Sequence, residues 1–116
     1  MSGANPHRGE VSLKLGEREV VLRPTFAALV AIERETGMGL LALVRKLAQG
    51  SVQHLPTIIR EGGRAAGYDI QTDEIELECT ANGAFLVIDA AGAMISNGID
   101  GGADRKNSEA AETTTS

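Results

Sequence analysis

Few residues in this 116-residue chain have the chemistry to act on a substrate: one cysteine, Cys79, and two histidines, His7 and His54, beside sixteen carboxylates and eleven Lys or Arg. A thiol becomes a nucleophile when a base stands near enough to take its proton. His54 is the sole histidine inside the expected folded region, so Cys79 and His54 are the one nucleophile and base to weigh. A small thiol buried on an apolar face is the plainer reading of Cys79. A metal site needs several ligands at fixed spacing, and His7, His54 and Cys79 lie far apart in no such pattern. Glu33 and Glu35, like Glu74 and Glu76, are two apart and point away from each other on a helix. Glu74 and Glu78 share a helix face, where exposed like charges read as a solvated edge. The stretch Gly62-Gly63-Arg64-Ala65-Ala66-Gly67 lacks the Lys-Ser/Thr of a phosphate-binding loop and is no dinucleotide fingerprint. Its glycines suit helix ends and close helix approach. No catalytic, cofactor-binding or metal-binding residue is assigned, and the expectation is a protein without enzymatic activity.

Charge is distributed unevenly. Residues 1–64 balance at +3, residues 65–99 hold six acids and no base, and the whole chain stands at −5. Bases scattered among acids do not form the cationic patch that phosphate neutralisation needs, so nucleic acid is not an expected partner. The acidic last third suits a partner with basic segments, or simply a solvated face. No apolar run is long enough to span a bilayer, and one cysteine allows no internal disulfide. With no charged-then-apolar leader at the start, the expected location is the cytoplasm.

The elements that must position these residues read as α+β: an N-terminal β-hairpin packed on four or five short α-helices. Residues 1–8 are expected to be flexible, 9–99 to form one domain, and 100–116 a disordered tail of Gly, Ser, Thr, Ala and charged residues. Val11, Leu13 and Leu15 alternate with polar residues, Gly16-Glu17-Arg18 turns, and Val20, Val21 and Leu22 follow, giving two half-buried strands. Thr25 can cap a helix from Phe26 to about Thr36, with Phe26, Leu29, Val30 and Ile32 on its apolar side. A second runs from Leu40 to Ala48 before Gly50. A third starts near Leu55, tolerates Pro56 in its first turn and stops at Gly67, with Gly62-Gly63 as a weak point. Around residues 73–80 the alternation of Ile75, Leu77 and Cys79 with Glu74, Glu76 and Glu78 would suit a strand; Thr72 followed by Asp73 and Glu74 favours a short helix. A last helix is expected from Phe85 to Asn97, with Phe85, Ile88, Gly92 and Ile95 on one face and Gly98 at its end.

Apolar helix faces are therefore the candidate functional surface. Leu40, Leu41, Leu43, Val44 and Leu47 are more aliphatic than one buried stripe requires; Leu41, Val44 and Leu47 of these, with Met38, Met94 and Ile99 near helix ends, are the candidates. Packed inward, these six residues are core; left outside, they would form a groove for varied apolar segments.

The residues His7-Arg8-Gly9-Glu10-Val11 with Leu13, Val21-Leu22-Arg23, Thr25, Ala28-Leu29 to Ile32-Glu33, Leu40-Leu41-Ala42-Leu43, Gly67-Tyr68-Asp69 and Thr72-Asp73-Glu74 resemble the small proteins encoded in tail-gene clusters of gene transfer agents and related phages. The likeness reaches about Asn97. It implies a place in siphophage-type tail construction, under either of two labels. Tail tube subunits are typically β-rich and stack as rings, whereas tail assembly chaperones are small, mostly helical proteins that coat the tape-measure protein before the tube polymerises. One hairpin followed by four or five helices favours the chaperone. The resemblance then implies the tape-measure protein, and through it tail tube subunits, as partners, with no cofactor and no membrane.

Overall fold

The turn Gly16-Glu17 joins β1 (Val11–Leu15) to β2 (Arg18–Leu22) in antiparallel register, with Val11 opposite Leu22 and Leu15 opposite Arg18. Gly16 opens this two-residue loop at φ +62°, a left-handed conformation that glycine adopts without strain. The computed structural model describes residues 3–101, so the tail expected over 100–116 lies, beyond Gly101, outside the described residues. Five helices follow the hairpin: α1 (Phe26–Thr36), α2 (Leu40–Ala48), α3 (Leu55–Ala65), α4 (Thr72–Asn82) and α5 (Phe85–Asp100).

Helices α3 and α5 form the centre and carry the hairpin between them, β2 against α3 and β1 against α5. Helix α1 packs on α3, and α2 packs on α5. The core joins Leu13, Leu15, Val20 and Leu22 to Ile58 and Ile59 of α3 and to Val87, Ala91, Met94 and Ile95 of α5, with Ile32, Leu43, Leu47, Ile70 and Ile75 at its margins. Burying one such aliphatic side chain stabilises by roughly 1.5–3 kcal/mol, and a two-stranded sheet depends on that cover because a lone hairpin is marginal.

Strand β2 departs from the expected half-burial. Val20, Val21 and Leu22 are all buried, because the N-terminal segment covers the second face. A Cβ placed on Gly3 would stand 3.3 Å from Val21 Cγ2. Residues 3–8 of the segment expected to be flexible thus pack on the hairpin, and among them Pro6–Arg8 forms a 3-10 turn capped by Asn5 Oδ1, which accepts from His7 N at 2.9 Å. The buried Glu10 ties the same segment down: its Oε1 accepts from Asn5 N at 2.7 Å and its Oε2 from Arg23 Nε.

Local rules placed the helix ends well. Thr25 Oγ1 accepts from Ala28 N at 3.1 Å, a cap worth about 1 kcal/mol. Glu33 reaches from α1 to the start of α2, where its Oε2 accepts from Leu40 N. Residues 72–82 are helical and not a strand: Ile75 is buried while Leu77 is exposed, so alternation is not obeyed. The cap is Gln71 and not Thr72. Its backbone N–H donates to Glu74 Oε1 at 3.0 Å, half of a capping box.

Three expectations for helix faces are corrected. Phe26 is exposed, and α1 buries Ala28, Leu29 and Ile32 instead. The inward face of α5 is Val87, Ala90, Ala91, Met94 and Ile95, with Phe85 outside. Gly98 does not end α5, which runs on to Asp100. A Cβ at Gly98 would meet Leu29 Cδ1 at 2.9 Å and Pro24 Cβ at 3.0 Å. Gly62 and Gly63 are contact points of the same kind, against Met94 with Leu22 and against Ile70, and are not weak points of α3. Helix propensity alone would make Gly98→Ala stabilising by about 1 kcal/mol. The close contact with the rigid Pro24 ring reverses the sign, and the expected result is a net loss of about 1 kcal/mol in urea unfolding. A stabilised variant would show that α1 and α5 are further apart than described.

Candidate functional site

The faces of α2 and α5 diverge toward the outside and leave an apolar groove of about 380 Å³. Val44, Leu47, Ala48 and Gly50 come from the α2 side, and Phe85, Ile88, Asp89, Gly92, Ala93 and Ser96 from α5. Small side chains make the trough: a Cβ at Gly92 would lie 4.0 Å from Leu47 Cδ1. Phe85 stands 75% exposed at one end with Leu86 beside it at 65%. Asp89 is the only charged lining residue. It also lines a second hollow between β1, α4 and α5, so the two openings adjoin.

Of the six residues singled out by sequence, the structure brings Val44 and Leu47 together in this groove. Leu47 is almost wholly buried and forms part of its base, while Val44 is half-buried. Leu41 is 63% exposed but outside the lining, Met38 packs partly on the core, and Ile99 lies exposed near the far end of α5. Met94 is corrected: it has no exposed surface and its side chain lies over Gly62. The α5 wall was missed. A signal for it exists in the sequence, because Phe85, Leu86 and Ile88 together exceed one helical face, with Gly92, Ala93 and Ser96 one to three turns on.

The other chemistry-bearing groups supply no catalytic arrangement, and several are held in structural contacts. Burial first, and then the negative charge of Glu78, pushes the Cys79 thiol above its ordinary range, the opposite of what a nucleophile needs. No three His, Cys, Asp or Glu among the described residues are grouped to hold a metal ion. Arg18 grips Glu74 through Nε and Nη2 at 3.0 and 2.9 Å and donates to Asp69 O. Glu78 Oε1 accepts from Gly16 N at 2.8 Å. These bonds dock the hairpin turn on α4 and lower both carboxyl pKa values, Glu74 chiefly through Arg18 and Glu78 chiefly through Gly16. Their contribution is present above the ordinary carboxylate range and is lost as pH falls.

Glu61 behaves in the opposite sense. Burial, a hydrogen bond with Glu35 and the charge of Glu35 raise its pKa, opposed by Arg64 and Arg60. A group raised in the folded state stabilises fully below its unfolded pKa, and that contribution fades as pH rises through the folded value. Glu61→Gln keeps a donor for Glu35 and removes the buried charge. We expect its urea midpoint to exceed that of the parent at pH 7 and to match it near pH 4. Equal midpoints at both values would mean that Glu61 is solvated.

Together, the fold and the groove define a small α+β protein with an open apolar trough between two helices. The chain belongs to the family described as phage tail tube protein, GTA-gp10, whose model matches residues 8–112. It is therefore a protein of phage-type tails of the gene transfer agent kind, and its family implies interaction with other tail proteins. No curated protein and no solved structure matches the chain. Among the described residues, no helix is long and apolar enough to cross a membrane.

Proposed function

We propose that the protein is a tail assembly chaperone that acts without catalysis, in the cytoplasm, by shielding apolar segments of the tape-measure protein until tube subunits replace it. The observation that carries this reading is the open α2–α5 groove, an apolar surface shaped to take side chains from another chain. Two or three anchors of Leu or Phe size buried there contribute on the order of 3–9 kcal/mol before the cost of association. Two strands and five helices also suit a soluble helper better than a ring of β-rich subunits.

A second reading, a tail tube or tail-completion subunit retained in the particle, has the description of the family in its favour. Mass spectrometry of purified particles separates the two, since a chaperone is absent from them and a subunit is present in many copies. Co-expression with the cognate tape-measure protein tests the first directly: an unchanged yield of soluble tape-measure protein would defeat it.

A further inference from the structure

We infer that the α2–α5 groove takes an amphipathic α-helix carrying a lysine or arginine opposite Asp89. This rests on the chaperone reading and specifies the kind of tape-measure segment that is bound.

The lining decides between a helix and an extended segment. Asp89 and Ser96 are its only side chains able to hydrogen-bond. An extended peptide seated there would bury backbone N–H and C=O groups without partners, at a cost of roughly 1–3 kcal/mol each. A helix satisfies its own backbone and presents only side chains to the wall. The small residues Ala48, Gly50, Gly92 and Ala93 let another helix come close, as small side chains do at helix crossings.

Charge decides what the helix must carry. Asp89 is exposed, and its side chain takes part in no ion pair or hydrogen bond among the described residues. A docked apolar helix would strip water from this carboxylate, which is unfavourable unless the occupant supplies a cation. From Ala65 to Asp100 there are seven acids and no Lys or Arg, so α4 and α5 present negative charge alone, and Arg45 and Lys46 on α2 form no ion pair with Asp89. The same fact opposes a second copy docking through its own α5, which would set Asp89 near Asp89.

The test uses the full-length protein and overlapping peptides spanning the tape-measure protein of the same gene cluster, with binding read by fluorescence anisotropy. The tightest peptides are expected to combine apolar residues at i, i+3 or i+4 and i+7 with a Lys or Arg on that face. Asp89→Lys should weaken them about tenfold or more, and exchanging the peptide cation for Glu should restore binding to that variant. Ala93→Trp, which fills the trough, should abolish binding while urea unfolding confirms its fold. Tight peptides without a cation, or equal affinity for the parent and Asp89→Lys, would overturn the inference. So would a dimer of the parent, absent from Asp89→Lys, that peptides fail to dissociate. If peptides bind but these variants are indifferent, this inference falls while the chaperone reading stands. If no peptide binds at all, the chaperone reading falls as well.

Discussion

Glu10→Ala is expected to lose about 3 kcal/mol of stability, on the order of a 10–20 °C fall in Tm for a domain of this size. The Glu10 side chain is 1% exposed, and both of its oxygens are used. One holds Asn5 N and with it the N-terminal segment over Val21; the other holds the guanidinium of Arg23. Arg23 in turn donates through its backbone N–H to Gly62 O at 2.9 Å and through Nη1 to Ala65 O at 3.4 Å. Truncation leaves a half-buried guanidinium and a backbone amide without their acceptor at the junction of β2 and α3. Arg23 keeps 31% of its side chain in water, which places the expected loss at the lower end of the range for broken buried pairs. Glu10→Gln retains acceptor geometry without charge and should fall between. Paired urea curves for the three proteins measure this, and a change below about 1 kcal/mol for Glu10→Ala would mean that water reaches the carboxylate.

Met94→Ala and Leu41→Ala should part company, although both residues look in sequence like spare apolar positions on helices. Met94 lies wholly inside, its Cε within 2.9 Å of where a Gly62 Cβ would be, so removing its side chain opens a cavity between α3 and α5. Losses of about 2–5 kcal/mol follow such changes, the larger values where neighbours cannot collapse. The fully buried Ile58, Ile59 and Ile95 make the central layer stiff, so the upper half of that range is expected. Leu41→Ala removes a mostly exposed side chain and should stay within about 0.5 kcal/mol. Urea midpoints of the two variants make the comparison. A mild Met94→Ala would return this residue to the surface.

Particular residues explain why some of the fold was legible and the groove was not. Thr25, the Gly16 turn and the ends of α2 and α3 follow from interactions spanning at most four or five residues, which a linear pattern carries. The choice of Gln71 over Thr72 as a cap was missed because it depends on the reach of Glu74, not on the oxygen-bearing residue alone. Phe26 and Phe85 were placed inside on hydrophobicity, yet both stand out in solvent, because a helix has more apolar residues than its neighbours can cover. Half of the groove, Val44 and Leu47, was visible as excess aliphatic content on α2. On α5 the excess of Phe85, Leu86 and Ile88 was a signal too, but a trough is a property of two helices, and only their packing joins that excess to Val44 and Leu47.

Local pattern alone carried a hairpin feeding four or five capped or glycine-limited helices, a segment from Ala65 to Asp100 without a positive charge, and no spaced set of catalytic or ligand residues. Tertiary structure decided what each apolar or glycine residue is for. Gly98 became a contact with Pro24 and Leu29 instead of a helix end, Met94 became core, Glu10 became the clasp between the N-terminal segment and Arg23, and Asp89 became the lone charge in an apolar groove. The physical reason is range: caps, turns and periodicity act within a helical turn or two, whereas burial and the desolvation of a charge are set by whichever distant segments arrive at the same place.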